Sequence, residues 1–190
     1  MATVREWVAS HDSDRAPALE AVAPSDVTIV IVDSDSHAGS ERAAGGAQFG
    51  SLVHAILAEA PLDAARETLE NVAAIQARLL SGSDDEIASA VDAAARVLQH
   101  ELLLRARAAS REGACRRETP VTWTASDGTL VEGVVDLAFE EHDEWFVLDY
   151  KTDREFAGRG EEQYRRQVAL YATAVAAATG RRAHGVLMRI

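Results

Sequence analysis

The chain has 190 residues and a mass of 20.4 kDa, the size of one ordinary domain, which excludes a helicase or polymerase motor. Apolar residues make up 47 % and charged residues 26 %, so a packed core is expected. Nineteen Lys and Arg against 31 Asp and Glu leave a net charge of −12. Uniform attraction to nucleic acid or an anionic membrane is thereby removed, and contact with either requires a local basic patch or a cation. Eighteen of the nineteen basic residues are Arg; Lys151 is the single lysine. Residues 1–100 hold 16 acids and 6 Arg, whereas residues 101–190 hold 15 acids and 13 basic residues, so anion binding is expected in the second half. One cysteine, Cys115, excludes an intrachain disulfide framework and a Cys-based zinc or iron–sulfur site. The charged N-terminus lacks a signal-peptide core, and no apolar run is long enough to span a bilayer. A cytoplasmic protein without membrane attachment is expected.

Residues 1–46 read as a lead-in: 1–26 lack periodicity apart from a possible short helix, and the β-branched run Val27–Val32 predicts a strand. Residues 33–46, rich in Ser, Asp and Gly, read as a connection. Phe49, Leu52, Val53, Ile56 and Leu57 recur at helical spacing, predicting a helix over Gln48–Ala60 that carries His54. Two Ala-rich helices follow, over Leu62–Leu80 and Asp84–Ala109, with Ser83 and Asp84 as N-cap candidates. The period then drops to two. Cys115–Thr124, Thr129–Glu140 and Glu144–Thr152 are predicted strands, joined by turns at Asp127-Gly128 and His142-Asp143. A helix over Glu161–Thr179, ended by Gly180, and a strand over Arg182–Ile190 complete the chain. The expected fold class is α/β of the α+β type, a mixed central sheet flanked by helices with an N-terminal helical part.

A two-residue turn at His142-Asp143 pairs Phe139 with Phe146, Leu137 with Leu148 and Val135 with Tyr150, which makes one face apolar; a one-residue slip would bury the polar face instead. The same register sets Asp136 opposite Asp149, with Lys151 on their face. Directly opposed like charges destabilise a sheet, and a divalent cation such as Mg²⁺ or Mn²⁺ would relieve the conflict. An acidic pair beside one lysine suits metal-assisted phosphodiester hydrolysis. Spacing alone equally allows solvated edge carboxylates with Lys151 as a salt-bridge partner.

Four segments in order, Phe49-Gly-Ser-Leu-Val-His54, Gly133-Val-Val-Asp136, Leu148-Asp-Tyr-Lys-Thr-Asp153 and Gln167-Val-Ala-Leu-Tyr171, resemble the signatures of the RecB-like branch of the PD-(D/E)XK nucleases. The likeness is greatest to the C-terminal nuclease domain of AddA-type helicase–nucleases and covers about residues 48–190. It implies a restriction-endonuclease-like core over residues 47–190 and DNA hydrolysis in break repair and recombination. It further implies Asp136 and Asp149 as metal-binding carboxylates, Lys151 as the catalytic lysine, and His54 and the Tyr150 backbone carbonyl as further ligands. Gln167 and Tyr171, one turn apart on a helix, either pack the helix or stand at the site. Glu118 is either another metal or water ligand or a partner for Arg116 and Arg117; Glu132 is read as solvent-facing.

Without four cysteines the iron–sulfur variant of the family is excluded. Without a phosphate-binding loop no nucleotide cofactor is expected, so a helicase motor in a longer chain or another subunit is the implied partner. Arg105, Arg107, Arg111, Arg116 and Arg117 precede and enter the first strand of the meander, and Arg154, Arg159, Arg165 and Arg166 surround the start of the last helix. On one rim these would form a phosphate-binding collar without base specificity, with Tyr164 stacking on a base. The alternatives are a non-catalytic DNA- or helicase-binding module of the same fold and a stand-alone restriction-type endonuclease.

Overall fold

The computed structural model describes residues 2–4, 6, 8, 27–32, 47–80, 82–124, 128–152 and 160–190. Six strands form one mixed sheet: β1 (Ala2–Thr3), β2 (Thr28–Ile31), β3 (Cys115–Thr124), β4 (Leu130–Glu141), β5 (Glu144–Lys151) and β6 (Ala183–Arg189). The order is β1-β4-β5-β6-β2, with β3 on β4 as well; β3, β4 and β5 run antiparallel, and β1 on β4, β6 on β5 and β2 on β6 run parallel. Helices α1 (Ala47–Glu59), α2 (Arg66–Leu80), α3 (Asp84–Gln99) and α4 (Glu101–Arg111) share a core with one face of the sheet, and α5 (Glu161–Thr179) packs on the other. No helix among the described residues is long and apolar enough to cross a membrane.

Local chemistry accounts for most element ends. Ser83 caps α3 in a capping box, its backbone N–H donating to Glu86 Oε2 at 2.9 Å. Gly180 ends α5 with φ 68, a left-handed geometry that costs glycine little. His142 and Asp143 have φ 52 and 63, as a two-residue turn between right-twisted strands demands. The helix expected over Asp84–Ala109 is instead two. His100 is extended, its Nδ1 accepts the Leu102 N–H at 3.2 Å, and it thereby caps a new helix. Apolar spacing continues across this break, which is why periodicity does not register it.

Pairing of Phe139 with Phe146 and Leu137 with Leu148 is as expected, but Val135 does not join that face. Leu137, Phe139, Leu148 and Tyr150 belong to the core under α1–α4, whereas Val131, Val135 and Ala138 belong to the core under α5. The same exchange occurs in β3, where Cys115 packs on the first core and Val121 and Trp123 on the second. Register stays constant through the step, with Arg117 opposite Leu137 and Thr119 opposite Val135; Glu118 and Asp136 between them are missing from the ladder. Glu118 has φ 46. Side chains alternate strictly along a regular strand, so a strand changes faces only where its backbone departs from regular β geometry; in β3 Glu118 does so, and in β4 the change falls at Asp136, opposite it and likewise out of the ladder.

The described residues nearest the N-terminus join this sheet and its core. Ala2 and Thr3 lie beside Val131 and Glu132, and Val4 and Val8 are 1 % and 5 % exposed in the core under α5. Truncating Val4 to Ala removes fully buried methyl groups, and Val4→Ala is expected to lower unfolding stability by about 2 kcal/mol. Denaturant unfolding checks this; an unchanged midpoint would mean that these residues are not part of the folded core.

Candidate active site

Residues from six elements, β1, β3, β4, β5, α1 and α5, meet in one cavity of about 460 Å³ at the step in β3 and β4. Asp136 comes from β4, Asp149 and Lys151 from β5, His54 from α1, and Gln167 and Tyr171 from α5. Thr3 and Val4 add a wall from the N-terminus.

Asp136 and Asp149 do not form the expected ladder pair, because the β4–β5 ladder ends at Leu137 and Leu148. Past that point the Tyr150 N–H donates to Asp136 Oδ2 at 2.7 Å. His54 Nδ1 lies 3.7 Å from the same oxygen. Asp149 and Lys151 are 2 % and 1 % exposed. The Lys151 ammonium is ion-paired with Asp149 Oδ2, donates to the Tyr150 carbonyl at 3.0 Å, and sits 5.2 Å from the Tyr164 ring centre. Gln167 Nε2 donates to Asp149 Oδ1 and to the Tyr171 hydroxyl, each at 3.2 Å. Two carboxylates and one lysine leave the cavity short of positive charge. Burial first, and then the neighbouring Asp149, push the Asp136 carboxyl well above its ordinary range, despite the opposing pull of Lys151.

Gly133 explains how Tyr171 reaches this group. A Cβ there would stand 2.6 Å from Tyr171 Cε1 and 2.6 Å from Val4 Cγ2, so only glycine lets the ring cross β4 this closely. The ring fixes the hydroxyl that Gln167 uses, and Gln167 in turn holds Asp149.

The remaining expected site residues fall elsewhere. Glu118, in its left-handed conformation, keeps much of its surface in solvent and does not line the cavity; partial enclosure of its carboxyl, and after it Glu59, raise the pKa against the pull of Arg117. Tyr164, expected to stack on a base, is 5 % exposed beneath Lys151 and has no open face to offer. Arg117 is held by the Leu57 and Ala60 carbonyls at the end of α1, and Arg116 by the Gly113 and Cys115 carbonyls. Arg165 reaches Glu161 and the Val27 carbonyl, Arg105 pairs with Glu141, and Arg107 donates to the Leu62 and Leu98 carbonyls. Arg154, Arg159 and Asp153 lie outside the described residues. Glu132, read as solvent-facing, is half-buried and lines the cavity. Its place four residues before Asp136, on the same side of a strand, was the available signal. Thr3 and Val4 had none, since nothing in the sequence around them is periodic.

Among the described residues, no three His, Cys, Asp or Glu side chains stand at metal-ligand spacing. The donor set nevertheless suits a hard divalent ion: two carboxylates and an imidazole line one cavity, the Tyr150 carbonyl lies against Lys151 beside it, and burial together with Asp149 holds the Asp136 carboxyl well above its ordinary range.

Comparison with known proteins supplies the family. Residues 34–189 match the PD-(D/E)XK nuclease superfamily. An ATP-dependent helicase/nuclease subunit of Heliobacterium modesticaldum is 43 % identical over 42 residues, 22 % of this chain and 3 % of that protein. Its counterpart in Pelotomaculum thermopropionicum is 42 % identical over 59 residues, 30 % of this chain and 5 % of that protein. The matched stretches are thus a small part of both relatives. With the family match running through most of the sheet and all five helices, the chain belongs to the PD-(D/E)XK nuclease superfamily.

Proposed function

We propose that this chain is a Mg²⁺- or Mn²⁺-dependent deoxyribonuclease module. It hydrolyses phosphodiester bonds in single strands or at DNA ends, in double-strand break repair and recombination, and a helicase motor delivers its substrate. The observation that carries the reading is the convergence in one cavity of two carboxylates, Asp136 and the buried Asp149, with the only lysine of the chain, also buried. Membership of a nuclease superfamily supports hydrolysis, and the helicase/nuclease proteins that share part of its sequence support a motor as partner.

In this reading Asp136, Asp149, the Tyr150 carbonyl and His54 hold the cation. When bound, it supplies Lewis-acid polarisation of the phosphate and acidifies the attacking water. Lys151 is tied to Asp149 and to the Tyr150 carbonyl, and its compact ammonium can follow charge as it develops on a phosphate oxygen, which a planar guanidinium cannot do from the same space. Gln167 and Tyr171 are positioning residues that fix the rotamer of Asp149.

Digestion of a labelled oligodeoxynucleotide should require Mg²⁺ or Mn²⁺ and fall at least about a hundredfold in Asp149→Asn, Lys151→Ala and Lys151→Arg. Circular dichroism must confirm that each variant folds. Activity that survives Asp149→Asn would locate the chemistry elsewhere. A folded wild type that binds DNA but cuts no end or single strand, with or without a motor, would favour the non-catalytic alternative.

The raised pKa of Asp136 makes a second prediction about the metal-free protein. A carboxyl whose pKa is higher folded than unfolded adds stability below the unfolded value and loses it as pH rises through the folded one. Asp136→Asn, which cannot ionise and keeps an oxygen for the Tyr150 N–H, should therefore raise Tm in EDTA at pH 8 by about 2 °C or more, and by less at pH 4. Mn²⁺ should raise the wild-type Tm at pH 8 and leave that of Asp136→Asn unchanged. Thermal scans in EDTA and in Mn²⁺ measure both; a variant less stable than wild type at pH 8 would contradict the assigned strain.

A further inference from the structure

Beyond the step at Glu118 and Asp136, the even-numbered side chains of β3 and β4 face away from α5, and the helices on the other side do not cover them. Pro120 and Val134 lie directly opposite each other there, both exposed, with Val134 at 44 %, and both line the mouth of the cavity. The next pair, Thr122 and Glu132, continues the same lining. Among the described residues no arginine lines the cavity, and Glu132 is the charged group on this lip.

This composition separates the two halves of a nucleotide. A phosphate is drawn to the cation site and Lys151 on the floor, while Glu132 repels any second phosphate from the lip. A strand held by one phosphate at the floor must lay the attached sugar and base along an adjacent wall, and the neighbouring wall offers two apolar side chains and two hydrogen-bonding groups. We propose that the Pro120–Val134 lip is the subsite that seats the sugar and base of the nucleotide joined to the scissile phosphate, with Thr122 and Glu132 at its polar end. The proposal rests on the nuclease reading above and deepens it, by fixing which side of the strand faces the hairpin. The backbone of the remaining strand then runs toward solvent. Apolar contact of this kind is tolerant of sequence, since every base has a π-face.

Val134 is exposed, so Val134→Ser and Val134→Leu should both fold with the wild-type Tm. On a single-stranded oligodeoxynucleotide, Val134→Ser is expected to raise KM about tenfold at unchanged kcat, and Val134→Leu to keep the wild-type KM. A strand of abasic tetrahydrofuran sites should raise the wild-type KM by a similar factor, and Val134→Ser should add nothing further on that strand. Equal losses on intact and abasic strands, or no loss on either, would overturn the proposal. Fluorescence anisotropy of wild type and Val134→Ser with Ca²⁺ in place of Mg²⁺, which keeps the carboxylates neutralised, repeats the comparison as binding alone. If the nuclease reading fails but the subsite stands, cleavage is absent while the abasic strand still binds more weakly to wild type and no more weakly to the variant. If the subsite fails, anisotropy does not distinguish the strands, whatever the cleavage assay shows.

Discussion

Lys151 and Asp149 are each nearly sealed from water, and each is tolerable in the interior only because of the other. An isolated buried ion costs several kcal/mol, and removing one member of such a pair typically costs about 3–5 kcal/mol because the survivor is stranded. The neighbourhood is arranged around that constraint. Gln167 satisfies the second oxygen of Asp149, the Tyr150 carbonyl takes the ammonium, and the Tyr164 ring lies beneath it. The pair does not offset what Asp136 loses: burial first, and then the charge of Asp149, raise its carboxyl pKa against the pull of Lys151. A core that only had to be stable would replace all three with apolar groups at little cost. The arrangement makes physical sense as a receptacle for positive charge.

The step in the hairpin is what makes that receptacle possible. Were β3 and β4 regular throughout, Asp136 would be an ordinary ladder residue facing one side of the sheet. Leaving the ladder frees its carboxylate to reach between the strands to the Tyr150 N–H. A non-glycine residue held at φ 46, as Glu118 is, costs on the order of 1–3 kcal/mol. That cost is offset because the two ends of each strand are clamped by different cores, one under α1–α4 and one under α5. The same change of face turns Pro120, Thr122, Glu132 and Val134 away from α5 and leaves them uncovered at the mouth of the cavity.

What was legible in the sequence divides along these lines. Strands, turns and the β4–β5 register follow from local rules: alternation, turn chemistry, and the penalty for burying a polar face. The convergence of His54, Asp136, Asp149, Lys151, Gln167 and Tyr171 was expected from motif order and appears in the cavity. The face change was hidden because no polar side chain interrupts the odd-numbered positions of β4 from Val131 to Phe139, and in β3 Cys115 on one side of it and Val121 and Trp123 on the other are all odd-numbered. One period of two therefore describes two different burial patterns, and Val135 lies in the core opposite to that of Leu137 and Phe139. His100 shows the same limit in a helix, where the spacing persists although the chain turns. The wall formed by Thr3 and Val4 is a long-range contact with no local signature.

The arginines show a different limit. A run of basic residues in sequence suggests a basic surface, but residues one or two apart on a helix point in different directions, and a guanidinium has five donors that any nearby carbonyl will accept. Arg107 and Arg117 are drawn inward to helix-end carbonyls, and Arg105 to Glu141 and the rings of Phe139 and Phe146. The collar expected from their spacing is therefore largely engaged in holding the helices to the sheet. For an acidic chain with a net charge of −12, the nuclease reading then places the burden of holding a polyanion, among the described residues, on few groups: the proposed cation ligands, Lys151 and uncharged contacts beside them. Such contacts fix geometry well and attract weakly at a distance, since long-range steering needs a net field of the opposite sign. Under the nuclease reading, a module so built would position a strand accurately once it arrives and recruit it poorly from solution, and delivery by a motor supplies what its own electrostatics lack.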